Sequence, residues 1–290
     1  MRANERTALI IDPASTPAPA ALREGVAGAC TVEGRPMPFV RTLCRGDDGT
    51  AQARQAVRDG CGLVLVAGSG RTVRAVAQGV VGTPTVLGII PTGSDDLLAR
   101  HLDLPCDPAA ALRVALCGGE RRLDVGRLAD GTIFTVVAGT GWGPLLPCLS
   151  PRDPTGSTGP SDLFRRWRRL RSQERRIWIS LDRAPALAVT VTNVLVGNLD
   201  CFGPRHGARS APDDGLLDVG LVPALPRGGG RTLLRGGVTE PPLRILPART
   251  IEIRLSSVQP RQVDGAPLSP DASLLARIVP QGLSVRVPAA

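Results

Sequence analysis

The chain has no lysine and no tyrosine, and its 290 residues include only four phenylalanines, three tryptophans, two methionines and two histidines. Each shortage closes off a class of function. With aromatics at 2%, the stacking platforms used to bind RNA and single-stranded DNA are missing. The net charge of +9 is carried by arginines scattered along the chain, so it does not read as a nucleic-acid footprint. The two histidines, His101 and His206, are far apart and form no HExxH or other local metal motif. The seven cysteines are odd in number and include no CxxC pair, so they read as reduced, small apolar residues and not as a zinc site or disulfide framework. No apolar run approaches the roughly 20 residues that span a bilayer. The first residues, MRANERTALIIDP, place charges on both sides of a short apolar segment and do not form an export signal. A cytoplasmic protein is expected.

An apolar share of 42% over 290 residues gives enough material for two domains, each with its own core. The first part alternates strands and helices: a strand over Thr7–Ile11, a helix over Gln52–Gly60, a strand over Leu63–Ala67, helical spacing over Thr72–Val80 and a strand over Val86–Ile90. Asp107-Pro108 has the composition of a helix start, and Gly118-Gly119 that of its stop. This is the pattern of a parallel α/β layer. From Leu123 onward the runs are short, apolar and often β-branched, among them Ile133–Ala138, Ile177–Leu181, Leu187–Val196, Leu217–Val222, Ile251–Leu255 and Arg277–Pro280. Those runs predict an antiparallel sheet domain.

The stretch Leu63–Arg100, LVLVAGSGRTVRAVAQGVVGTPTVLGIIPTGSDDLLAR, has the layout of a phosphate cradle. An apolar strand runs into Gly68-Ser69-Gly70, a helix follows, and a second strand ends in Pro91-Thr92-Gly93-Ser94. It resembles the nucleotide-binding half of the diacylglycerol and sphingosine lipid-kinase family, whose two turns read GGDGT and PLGTGNDFAR. Three more stretches extend the resemblance over nearly the whole chain. Ala211–Asp218, APDDGLLD, is similar to PDDGLLDV, Gln262–Leu268 to QVDGEPL, and Phe134–Gly143 to FLNVAGIGFD. The resemblance implies an NAD-kinase-like fold: a Rossmann-like α/β domain over 1–122 with a return of 282–290, and an antiparallel β-sandwich over 123–281, with a ligand cleft between them.

The residues that would carry chemistry depart from the family pattern. Gly70 stands where the first turn has its acidic residue, Arg71 replaces the following Gly, and Thr72 matches. Ser94, Asp95 and Asp96 replace the Thr, Gly and Asn of the second turn, and Ala266 replaces the acidic residue of the DGE motif. Phosphoryl transfer depends on charge held in position. Each such group lost commonly costs on the order of a hundredfold to a thousandfold in rate. ATP-dependent transfer is therefore expected to be lost. The ligand would be a hydrophobic small molecule lined by Gly68, Ser69, Gly70, Thr72, Thr92, Gly93, Ser94 and Trp142. Asp264 with Asp95 or Asp96 would supply acid–base chemistry, such as a cyclisation or rearrangement in specialised metabolism, and Arg71 would hold an anionic or carbonyl group. On that view Asp264→Asn would lower turnover and leave the fold intact. The competing classes are a lipid kinase with relocated catalytic residues and a non-catalytic scaffold. Asp96 has an ordinary alternative as a helix cap, and Asp264 as a turn residue.

The resemblance assigns a structural magnesium to Asp213, the carbonyl of Leu216 and Asp218, a suitable oxygen set for a hard cation, with a plain turn as the alternative. Residues 162–176, DLFRRWRRLRSQERR, place Leu163, Trp167 and Leu170 on one helical face. They read as a helix packed on the sandwich, with a weak contact to an anionic membrane as the alternative. No nucleic-acid partner is expected, and a homodimer is allowed.

Overall fold

The computed structural model describes residues 6–93, 96–140, 175–198, 212–223 and 244–289. The chain divides into two compact units, Met1–Val125 with Val279–Ala290, and Gly126–Ile278.

The first unit contains β1 (Thr7–Ile11), α1 (Pro19–Val32), β2 (Phe39–Thr42), α2 (Thr50–Arg58), β3 (Leu63–Gly68), α3 (Gly70–Val80), β4 (Val86–Pro91), α4 (Leu97–His101), α5 (Pro108–Cys117) and most of β5 (Gly119–Leu128). β1, β3 and β4 are buried along their whole length, as expected of parallel strands covered on both faces. All pairings among β1–β4 are parallel, in the order β2-β1-β3-β4. Leu9, Ile11, Leu63 and Leu65 pack with Val26 and Cys30 of α1 and Ala111, Leu112, Ala115 and Leu116 of α5. On the opposite face Ile10 and Val76 of α3 lie close around Gly49, which precedes α2. α5 starts as its sequence implies, with Asp107 accepting from the Ala110 N–H at 2.8 Å. Its last carbonyls receive two buried arginines: Arg35 donates to Leu116 at 3.2 Å and Arg286 to Gly118 at 3.0 Å. Cations there oppose the negative end of the helix dipole.

The second unit contains β6 (Ile133–Phe134), β7 (Val137–Thr140), β8 (Arg175–Leu181), β9 (Leu187–Gly197), β10 (Leu217–Pro223), β11 (Arg244–Ala248), β12 (Thr250–Val263) and most of β13 (Ala266–Val287). Its pairings are antiparallel. β12 pairs with β8 through Ile251–Leu255 and with β7 through Arg261–Val263, while β9 also pairs with both. Four strands thus close on one another, and the register shifts in β12 between Arg254 and Arg261 bend the strand from one partner to the other. Alternate residues of β8, β9, β10 and β12, including Ile177, Ile179, Val194, Val196, Val219 and Ile251, fill one core around Phe134. Phe134 fits because its β5 neighbour is Gly126, where a Cβ would enter the Phe134 ring.

Two expectations change here. The run Arg277–Pro280 and the start of the 282–290 return are not separate strands. Both belong to β13, which turns through Gln281 at φ 49° with its N–H donated to buried Asp124 at 2.7 Å, and then pairs in parallel with β4 before ending at Val287. The basic segment 162–176 lies outside the described residues except for its end, Arg175 and Arg176, which begins β8 and is not helical.

Candidate functional site

Because β1, β3 and β4 are parallel and in register, their following turns gather at one edge of the first unit's sheet. Ile11 lies beside Ala67, and Gly68 beside Pro91. The strand order reverses between β1 and β3, and doubly wound sheets bind ligands at the C-terminal edge of such a reversal.

At that edge the central group is Asp12, the residue that follows β1. Its Oδ2 accepts from the Ser15 hydroxyl at 2.7 Å and the Thr72 hydroxyl at 2.8 Å, and its Oδ1 accepts from the Ala14 N–H at 3.0 Å. Burial pushes the Asp12 carboxyl up, but these hydrogen bonds outweigh it and hold the group below the usual 3.8. The Ser69 N–H, expected to face a ligand, instead donates to the Ser15 Oγ at 3.0 Å. The Ser69 and Thr72 hydroxyls lie 3.3 Å apart. Gly68 serves the same cluster: a Cβ there would stand 2.8 Å from the Thr72 side chain. Sequence patterning did not single out Asp12 and Ser15. The available signal was Asp-Pro-Ala-Ser directly after an apolar strand, a turn composition at the switch point.

α3 starts at Gly70, with Ser69 as its extended N-cap, and Arg71 lies exposed in its first turn. After β4, Thr92 is half-buried and Gly93 exposed. Asp96, 2% exposed, caps α4 by accepting from the Ala99 N–H at 3.0 Å. The capping alternative is thus the role this hydrogen bond serves. Ser94, Asp95 and Trp142 lie outside the described residues.

In the second unit, Asp264 and Gly265 are the two loop residues of the β12–β13 hairpin, since Val263 pairs with Ala266, and both have positive φ, 44° and 78°. That is the backbone of a type I′ turn, and Asp-Gly suits it. The Asp264 carboxylate reaches back to the segment joining β6 and β7. It accepts from the N–H and hydroxyl of Thr135 at 2.7 and 2.9 Å, the Val136 N–H at 2.9 Å and the Val137 N–H at 2.8 Å. Asn198 holds the same segment, donating its side-chain amide to the Thr135 carbonyl at 3.1 Å. Burial pushes the Asp264 carboxyl up, while its four donors pull it down. With both oxygens doubly occupied, Asp264 is placed as a clamp on the backbone. This is the turn role that the sequence left open, and a proton-transferring group would have to break those bonds. Ala266, on the family's acidic position, is 4% exposed.

Asp213, Leu216 and Asp218 share one turn entering β10, with Asp213 exposed and Asp218 buried. The Leu216 N–H donates to Asp214 Oδ1 at 2.9 Å, tightening that turn. Among the described residues no group of three or more histidine, cysteine, aspartate or glutamate side chains could hold a metal ion. Burial pushes the Cys30, Cys61 and Cys117 thiols up, away from reactivity.

The sequence model for the diacylglycerol kinase catalytic domain matches residues 6–128. Over 116 residues, 39% of this chain, the sequence is 37% identical to the "Probable lipid kinase YegS-like" protein of Chromohalobacter salexigens. It is 29% identical over 94 residues, 32% of the chain, to a diacylglycerol kinase of Staphylococcus aureus. Residues 6–128 are thus similar to the catalytic domain of diacylglycerol-kinase-like lipid kinases. The matched stretches span 37% and 30% of those two relatives' lengths. The likeness of fold extends further: a diacylglycerol kinase from Bacillus anthracis superposes with a TM-score of 0.73 at 17% identity, covering 98% of this chain and 97% of that one. An NAD kinase from Archaeoglobus fulgidus, solved in complex with ATP, gives a TM-score of 0.56 at 10% identity, covering 97% and 93%. The family match thus includes the Asp12 cluster and the glycine turn, and Asp264 lies outside it. No helix among the described residues is long and apolar enough to cross a membrane.

Proposed function

We propose that this chain has lost efficient ATP- and magnesium-dependent phosphotransfer and serves as a binding protein for a hydrophobic, lipid-like ligand. The observation that carries this reading is the state of the carboxylates at the glycine turn. Gly70 provides none, and Asp12 has its oxygens held by Ser15, Thr72 and the Ala14 N–H. Phosphotransfer requires carboxylates to hold the magnesium that neutralises the phosphates, and this donor set does not fit that task. Acid–base chemistry on Asp264 is the weaker reading, because four donors already occupy its carboxylate. The lipid class follows from the names of the relatives.

One observation favours the residual-kinase reading. Asp12 is kept ionised, half-exposed, beside the turn that lacks an acidic residue, and could take over the missing charge.

Calorimetric titration with ATP and magnesium, together with an assay for phosphate transfer to diacylglycerol in micelles, separates the two. Neither heat nor product is expected, and the G70D/R71G/A266E variant should gain nucleotide affinity. Micromolar affinity with turnover in the unaltered protein would restore the kinase. Magnesium alone tests the turn before β10: bound there, it should raise the melting temperature by mass action, and Asp218→Ala should remove that response.

A further inference from the structure

Among the described residues, β2 is the outermost strand of the first unit's sheet, pairing with β1 on one side. It also carries exposed apolar side chains: Phe39 is 51% exposed and Val40 37%, with Met37 just before the strand at 64%. Native sheets usually blunt such an edge with charge, proline or a cover. The one cation within β2, Arg41, is tied back to Asp59 at 2.9 Å.

We propose that β2 is a self-association edge, pairing antiparallel with β2 of a second copy of this chain about a twofold axis at Val40. The backbone sets the alternatives. The Leu43 N–H donates to the Ile11 carbonyl, so odd-numbered residues turn their amides toward β1, and those of Val40 and Thr42 face the open edge. An antiparallel pair joins residues with outward amides, which leaves a short choice of registers. Centring on Arg41 would oppose two like charges, a destabilising cross-strand pair. Centring on Thr42 would leave Phe39 and Val40 beyond the paired core. Centring on Val40 places Val40 against its own copy and Phe39 against the copy's Arg41, a cation–π pairing that occurs twice by symmetry. In that register the Val40 amides exchange two hydrogen bonds, and each Thr42 N–H meets the copy's Pro38 carbonyl, which needs no donor from the proline. Met37, two residues before the strand, adds exposed apolar area.

Sedimentation across a concentration series tests the proposal. The unaltered protein is expected to form dimers at micromolar concentration. Val40→Pro removes the outward donor at a position where an edge strand tolerates proline, and Val40→Arg opposes two charges on the axis. Each should weaken dimerisation by at least about tenfold, the equivalent of one or two lost hydrogen bonds, while the circular dichroism spectrum is retained. Hydrogen exchange needs no variant: the Val40 amide should exchange more slowly as the unaltered protein is concentrated. A monomer at every concentration would overturn the proposal. So would dimers that survive both variants, or a Val40 amide whose exchange ignores concentration.

Discussion

The turn after β3 and the hairpin after β12 are both glycine-containing turns on family motifs, yet they have diverged in opposite ways. In the first, the backbone layout is kept and the acidic position is Gly70. The nearby carboxylate comes instead from Asp12 after β1, which accepts from Ser15 beside it and from Thr72 of α3. In the second, the motif's aspartate is present, and it spends its oxygens on the amides of Thr135, Val136 and Val137. A residue on a motif position therefore does not disclose its role until its partners are known. The first turn has kept its shape without its charge, and the second has a charge engaged in holding shape.

The largest test of this contrast is Asp264→Ala. Three backbone N–H groups would lose a buried acceptor, at about 1–3 kcal/mol each, so chemical denaturation should report a loss of at least about 3 kcal/mol, the lower end of that range summed. Asp264→Asn keeps the turn conformation and one acceptor oxygen, and its loss should be smaller but clearly measurable. An unchanged melting curve for both would return Asp264 to the catalytic candidates.

Gly68→Ala comes next. Its new methyl group would press on Thr72 and force the Asp12 cluster to shift, at a cost of roughly 1–3 kcal/mol, typical of overpacking. A neutral result would mean that the cluster is loose, and Gly68 would then be better explained by a ligand.

The smallest effect separates the two carboxylates by pH. The Asp12 carboxyl is lowered, so its stabilisation is complete above the ordinary 3.8 and is lost as pH falls through its folded value. Asp264 is raised, so its contribution has the opposite sign: stability declines as pH rises from 3.8 through the folded value. Denaturation at a series of acidic pH values should show the advantage of the unaltered protein over Asp12→Asn shrinking below 3.8. The effect is modest because Asp12 is partly open to water. An advantage that does not change with pH would remove the ionised Asp12 from the account.

Much of the architecture was legible in the sequence. The apolar runs of β1, β3 and β4, the Asp107-Pro108 helix start and the change to short β-branched runs all follow from local pattern. The site was legible only as positions. Nothing local tells that the Ser69 amide would be taken by Ser15, 54 residues earlier, or that Asp264 would reach Thr135 across 129 residues. Those partners are set by sheet register, which a one-dimensional pattern does not contain. The Pro280-Gln281-Gly282 break misled for a related reason: Gln281 takes a positive φ and passes its amide to Asp124, so the strand turns without ending.

That continuous strand has a consequence for how the protein is made. Val86 and Leu87 of β4 wait for Ser284 and Val285 of β13, and most of the chain lies between them. A ribosome releases β1–β4 long before their last neighbour exists, so the outer edge of β4 stays open while the entire second unit is synthesised. Nascent chains usually complete domains in order from the N-terminus. Here the first unit to emerge is among the last to be finished, and the interval is one in which a chaperone or a neighbouring nascent chain has an unpaired strand to bind.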